Sequence, residues 1–78
     1  MKASTKEKYG KILYRLEKIK ARNYCLLQES QEDPWFVYVR KLDLKTQKET
    51  DCQMIIAKDI PQWMSSLENS GWVQKDIV

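Results

Sequence analysis

Residues 35–42 read WFVYVRKL, and this stretch carries the clearest strand signal in the 78-residue chain. It is rich in β-branched and aromatic residues, which favour the pleated backbone of a strand. Successive side chains of a strand point to opposite sides. Here the two sides carry Trp35, Val37 and Val39 against Phe36, Tyr38 and Arg40. Because both sides are partly apolar, the pattern predicts a strand in the interior of a sheet.

Similar short apolar runs lie before and after this stretch. Residues 24–28 and 50–57 are predicted as flanking strands, separated from it by the polar stretches 29–34 and 43–49, which are typical of turns. Three strands joined in this way form an antiparallel meander. The alternation of residues 72–78 fits either a fourth strand or an irregular arm, and we favour the strand.

Helical signals follow the meander. Asp59 stands two residues before Pro61, as an N-cap stands before a proline in the first turn, and an apolar stripe runs on from Ile60. The pattern predicts a short helix that ends at Asn69, with Gly71 just beyond its C-terminus.

The N-terminal segment, residues 5–22, has a different period. Its apolar residues recur at the i, i+3, i+4, i+7 spacing of a helical stripe: Tyr9, Ile12, Leu13, Leu16 and Ile19. This spacing predicts an amphipathic helix. The fold class predicted is therefore α+β: an N-terminal amphipathic helix, a three-stranded antiparallel meander, a short second helix and a C-terminal fourth strand, in a single small domain spanning residues 1–78.

Composition excludes several kinds of chemistry. The chain has no histidine, which removes the usual triads for acyl transfer, and its two cysteines cannot complete a four-ligand zinc site. Its two glycines, Gly10 and Gly71, are too far apart for a phosphate-binding loop. We therefore predict a protein that is not an enzyme and uses neither a metal nor a cofactor.

Spacing and hydropathy indicate the compartment. Cys25 and Cys52 lie far apart without a C-x-x-C pattern, which favours two reduced thiols over a disulfide. No apolar run approaches the roughly 20 residues needed to cross a bilayer, and the first residues lack the apolar core of a signal peptide. These patterns predict a cytoplasmic protein without a membrane span.

Positive charge is concentrated in the N-terminal segment. Up to Arg22 there are eight basic and two acidic residues, a net charge of +6, whereas the rest of the chain has six basic and nine acidic residues, a net charge of −3. On the predicted helix, one strip about 80° wide collects Lys8, Lys11, Arg15, Lys18 and Arg22. The strip is interpreted either as a solvated face or as a binding site for nucleic acid or for an acidic or mixed protein surface.

Two aromatic regions also allow more than one interpretation. The C-terminal residues Trp63, Met64 and Trp72 could close one side of the sheet or form a hydrophobic interface with a partner or a second copy. The rings and cations of residues 35–41 could stack nucleic-acid bases, but core packing is the favoured role. The leading hypothesis is a small regulatory or adaptor protein that binds another protein, and the alternative is a nucleic-acid-binding protein using the basic helix.

Overall fold

A computed structural model describes residues 9–77 of the chain. Five antiparallel strands form one sheet in the order β4-β3-β2-β1-β5. The strands are β1 (Tyr9–Lys18), β2 (Asn23–Ser30), β3 (Phe36–Asp43), β4 (Glu49–Ile56) and β5 (Val73–Lys75). The α-helix of the described residues, α1, spans Ile60–Asn69, and single 3-10 turns occupy Ile19–Ala21 and Ala57–Asp59. The α+β prediction is therefore wrong, because the protein is mainly β.

The predicted N-terminal helix is wrong in the part that the structure describes. Residues 9–18 form β1, which pairs along its length with β2, and residues 5–8 of that prediction lie outside the described residues. Register shifts on either side of Ile12 displace the alternation of β1. As a result Leu13, Tyr14 and Leu16 contact one apolar cluster while Ile12 contacts the other. A helix would place these apolar residues on one stripe. A strand with bulges instead divides them between the two faces of the sheet.

The main core lies between the sheet and α1. Buried side chains from the four long strands meet the helix and the segment after it: Leu16, Cys25, Leu27, Val37, Val39, Ile55, Leu67 and Trp72. Leu16, Leu27 and Val37 are completely buried. Burial of each such side chain contributes roughly 1.5–3 kcal/mol, so this cluster is the main source of the stability of the domain.

Backbone hydrogen bonds end α1 sharply and turn the chain back to the sheet. The N–H of Gly71 donates to the carbonyl of Glu68 (3.1 Å) and the N–H of Trp72 to that of Leu67 (3.0 Å), which is the pattern of a Schellman cap. Gly71 has φ +99°, a backbone conformation in which a residue with a side chain would be strained. The helix ends at Asn69, as its sequence signals predict, and the cap directs the Trp72 ring into the core beside Leu67.

A tight turn fixes the position of β4 next to β3. The carboxylate of Asp43 accepts hydrogen bonds from the N–H groups of Lys45 (2.8 Å) and Thr46 (2.9 Å). These backbone donors hold the pKa of Asp43 below its ordinary value. Gln47 takes up a positive φ of 63°, which lets the chain reverse. The turn brings Glu49 opposite Leu42, and a register shift then places Asp51 opposite Lys41 for the rest of β4.

Candidate functional site

Helix α1 covers only one face of the sheet. The opposite face, called here the free face, carries Phe36, Tyr38 and Arg40 of β3, which lie across from Ile56, Met54 and Cys52 of β4. Toward the middle of the sheet this face has its own small buried cluster of Tyr24, Leu26 and Leu42. Within residues 9–77 no helix packs on the free face, so its outer part meets the solvent.

Exposed apolar side chains lie at both ends of the sheet: Ile19, Val73 and Ile77 near β1 and β5, and Trp35, Met54 and Ile56 where β3 begins and β4 ends. Met54 is 56% exposed and Ile56 is 43% exposed, and both lie on the free face. The half-buried ring of Phe36 stands directly opposite Ile56. We call Phe36, Met54 and Ile56 the β4 patch. Large apolar side chains grouped on a surface are typical of binding sites, whereas isolated ones are ordinary.

The β4 patch adjoins an edge of the sheet. Among the described strands β4 has β3 as its one neighbour. The N–H of Ala57 donates to the carbonyl of Trp35 (2.7 Å), so the backbone groups of Ala57 point toward β3. Because the inward and outward directions alternate along an antiparallel strand, the backbone groups of Cys52, Met54 and Ile56 point away from β3. The side chains of the same three residues lie on the free face.

Arg40 organises a polar cluster beside the patch. Its Nε donates to Oε1 of Glu49 (2.8 Å), its Nη1 donates to the amide oxygen of Gln28, and its guanidinium lies 3.9 Å from the centre of the Tyr9 ring. Tyr9 also makes an edge contact with Tyr38, with 5.1 Å between ring centres. The cluster links β1, β2, β3 and β4 across the free face, and it keeps the charge of Arg40 compensated.

Burial holds Tyr9, on the free face, and Cys25, in the main core, in their neutral forms. Burial, followed by the hydrogen bond with Cys52, raises the pKa of Tyr9 well above its ordinary value. On the helix side, burial raises the pKa of the Cys25 thiol to about 11. A neutral phenol and a protonated thiol are poor nucleophiles, so neither group is activated for attack at physiological pH.

We expect the Arg40 cluster to contribute measurably to stability. Replacing Arg40 by Met removes the donor to the buried amide oxygen of Gln28 and the counter-charge to Glu49, and should lower the free energy of unfolding by about 2 kcal/mol. Arg15→Met is the matched control, because Arg15 forms a similarly exposed pair with Glu17 (3.1 Å) but donates to Glu17 alone within the described residues, so its loss should be smaller, about 1 kcal/mol. Urea denaturation followed by circular dichroism measures both. Equal losses would show that the cluster adds nothing beyond an ion pair.

The predicted basic strip is not formed, because its residues lie on a strand and a turn. Lys8 lies outside the described residues, Lys11 is exposed, and Arg22 occupies the turn after β1 with φ 58°. Arg15 packs over the Tyr24 ring at 4.3 Å on the free face, whereas the Lys18 ammonium lies 5.9 Å from the Trp72 ring centre, toward the core. Lys18 instead joins Lys20 and Lys75 around an open groove of about 400 Å³. The tertiary structure thus divides these cations among several surfaces.

The residues predicted as a hydrophobic interface contact the core to different degrees. Trp72 is only 7% exposed and belongs to the main core, and Trp63 and Met64 are partly buried against it. Met54 and Ile56, which sequence reasoning did not select, are more exposed than any of these. Their shared side of β4 is visible in the sequence as an alternation, but the sequence does not reveal which side α1 covers.

Comparison with known proteins identifies no relative. No model of a protein family matches the chain, and no curated protein or solved structure is significantly similar to it. Within the described residues, neither the length nor the hydropathy of any helix is sufficient for a membrane span. Across residues 9–77 no group of three Cys, Asp or Glu side chains is arranged to hold a metal ion.

Proposed function

We propose that this protein is a small, non-enzymatic protein-binding module, of regulatory or adaptor type, whose docking surface is the β4 patch together with the outward-pointing backbone of β4. The main support is that exposed apolar side chains and outward-pointing backbone groups occur together on β4. The exposed side chains of Met54 and Ile56 belong to the residues whose backbone groups face away from β3. On the composition of the chain we place this binding in the cytoplasm.

A strand edge and an apolar patch serve complementary purposes in recognition. An added strand gains affinity from main-chain hydrogen bonds, and specificity from pockets for its alternate side chains. Full burial of a side chain such as Met54 or Ile56 is worth roughly 1.5–3 kcal/mol. The two together are enough to anchor an extended segment of a partner protein, provided that its side chains match the patch in shape.

Charge favours a protein partner over nucleic acid at this site. The two arginines described on the free face are both paired, Arg15 with Glu17 and Arg40 with Glu49. Binding to nucleic acid depends largely on cations that neutralise phosphates and release counterions. A face whose arginines are already neutralised supplies little of that driving force, whereas its apolar side chains suit a protein surface.

A photo-crosslinking experiment tests this proposal. A benzophenone amino acid placed at Met54 in the full chain, expressed in the organism's own cells, should give a discrete crosslinked band. The same group at Lys45, which is also exposed but lies in the turn before β4, is the matched control and should give only background. Adding Ile56→Asp to the Met54 probe should abolish the band, because a carboxylate in the patch must be desolvated on binding.

Each outcome bears on the proposal. A band that resists nuclease and yields peptides of the partner on mass spectrometry supports protein binding at β4. Equal bands from positions 54 and 45, or no band from position 54, would remove the β4 patch as the docking surface. A band that nuclease destroys would assign the site to nucleic acid and overturn the proposal.

A further inference from the structure

We infer that the partner of β4 is a second copy of this chain, joined by antiparallel β4–β4 pairing about a two-fold axis at Met54, so that two five-stranded sheets become one of ten strands. The inference rests on the proposed function, because it names the occupant of the same docking surface. The backbone, the side chains and the charges of β4 each support it.

The backbone of β4 is complementary to itself. In a two-fold contact each copy presents the same surface, so every outward donor must meet an outward acceptor of the identical strand. Cys52, Met54 and Ile56 each point one N–H and one carbonyl away from β3. With Met54 opposite the second copy's Met54, Cys52 falls opposite the second copy's Ile56, and all of these groups can pair. The regular part of β4, residues 51–56, provides enough length, whereas β5 at the other edge has three residues.

From Cys52 to Ile56, β4 lacks the features that protect an edge strand; its one register shift lies at the start of the strand, between Glu49 and Asp51. Exposed edges are usually blocked by lysine, proline or a bulge at outward-pointing positions. Here those positions carry Cys52, Met54 and Ile56, and none is charged. Pairing centred on Met54 places these three side chains from each copy in one row on the shared free face. There each side chain shields the side chain opposite it from water.

Charge selects the antiparallel orientation. The N-terminal end of β4 is acidic and includes the exposed Asp51. The exposed Lys58 follows the C-terminal end of the strand. Antiparallel pairing about Met54 places Asp51 of each copy opposite the second copy's Ala57, so that Lys58 of one copy lies level with Thr50 of the other, between Glu49 and Asp51. A parallel arrangement would instead place the two Asp51 side chains side by side, where like charges repel.

Sedimentation velocity over a concentration series tests the inference on the full chain. Wild type should sediment with twice the 9.3 kDa mass of the chain. Met54→Lys places two cations opposite each other at the axis and should weaken association by at least about 100-fold. Val73→Lys is the matched control: Val73 has the same 56% exposure but lies on β5, so this variant should remain dimeric. Circular dichroism confirms that both variants fold.

Disulfide trapping tests the register. In a Cys52→Ser background, Met54→Cys should oxidise to a covalent dimer, because directly opposed residues lie within reach of a disulfide. Wild type, with Cys52 opposite Ile56, should not. A monomeric wild type up to about 1 mM, or equal dissociation by Val73→Lys, would overturn the inference. If a wild-type monomer still gave the Met54 crosslink to a different protein, the proposed function would stand and only the second copy would be wrong.

Discussion

Trp72→Ala is expected to lower the free energy of unfolding by about 3–5 kcal/mol. The Trp72 ring is 7% exposed and packs in the main core, where the Schellman cap of α1 directs it. Its truncation removes the largest side chain of that cluster and leaves a cavity next to Leu67. The total free energy of unfolding of a small domain is about 5–15 kcal/mol, so this single change should remove a large part of it. Urea denaturation followed by far-ultraviolet circular dichroism measures the loss.

Trp35→Ala is the control for this result. The Trp35 side chain is 74% exposed, so the same chemical change should alter the free energy of unfolding by no more than about 0.5 kcal/mol. Similar losses from the two variants would contradict the placement of Trp72 in the core. A Trp72 variant that fails to bind a partner has also lost the packing of α1. Its loss of binding therefore does not show that Trp72 contacts the partner.

Ile55→Ala should cost about 2–4 kcal/mol, whereas Ile56→Ala should cost less than about 1 kcal/mol. The two residues are neighbours on β4, but Ile55 is 9% exposed and packs in the main core while Ile56 is 43% exposed on the free face. Both variants are best measured in the Met54→Lys background by urea denaturation, so that association between copies does not contribute.

The difference between the two isoleucines tests the register of β4. A shift by one residue would exchange the two faces of the strand and reverse the order of the two losses. A larger loss for Ile56→Ala would therefore move the β4 patch to the covered side of the sheet, and both the docking surface and the pairing of two copies would be wrong.

Local chemistry explains which elements could be predicted. The segment around α1 contains its own signals, since Pro61 suits a first helical turn and Gly71 tolerates the positive φ of the cap. Even there the detail differed: the Asp59 side chain makes no capping hydrogen bond. The alternation within residues 35–42 likewise survives in β3, where Val37 and Val39 face α1 and Phe36 and Tyr38 do not.

The N-terminal segment could not be assigned from local chemistry. Tyr9, Ile12 and Leu16 suit one stripe of a helix, but a strand with register shifts around Ile12 accommodates them equally well. Backbone pairing on both sides of β1 decides between the two: β1 forms a hairpin with β2 and also pairs with β5, where Arg15 lies opposite Lys75, 60 positions away. The basic strip depended on the helix, so its residues separated when the helix proved wrong.

By itself, then, the sequence determined the local features: the end of α1, the alternation of β3 and β4, and the absence of histidine, which rules out histidine-containing triads. Only the tertiary structure decided that β1 is a strand, that β4 lies at an edge, and that α1 covers Ile55 and leaves Met54 and Ile56 in solvent. The physical reason is that local signals act through a residue's own backbone and near neighbours. Which face of a sheet is buried depends instead on how the whole chain shares a limited apolar surface.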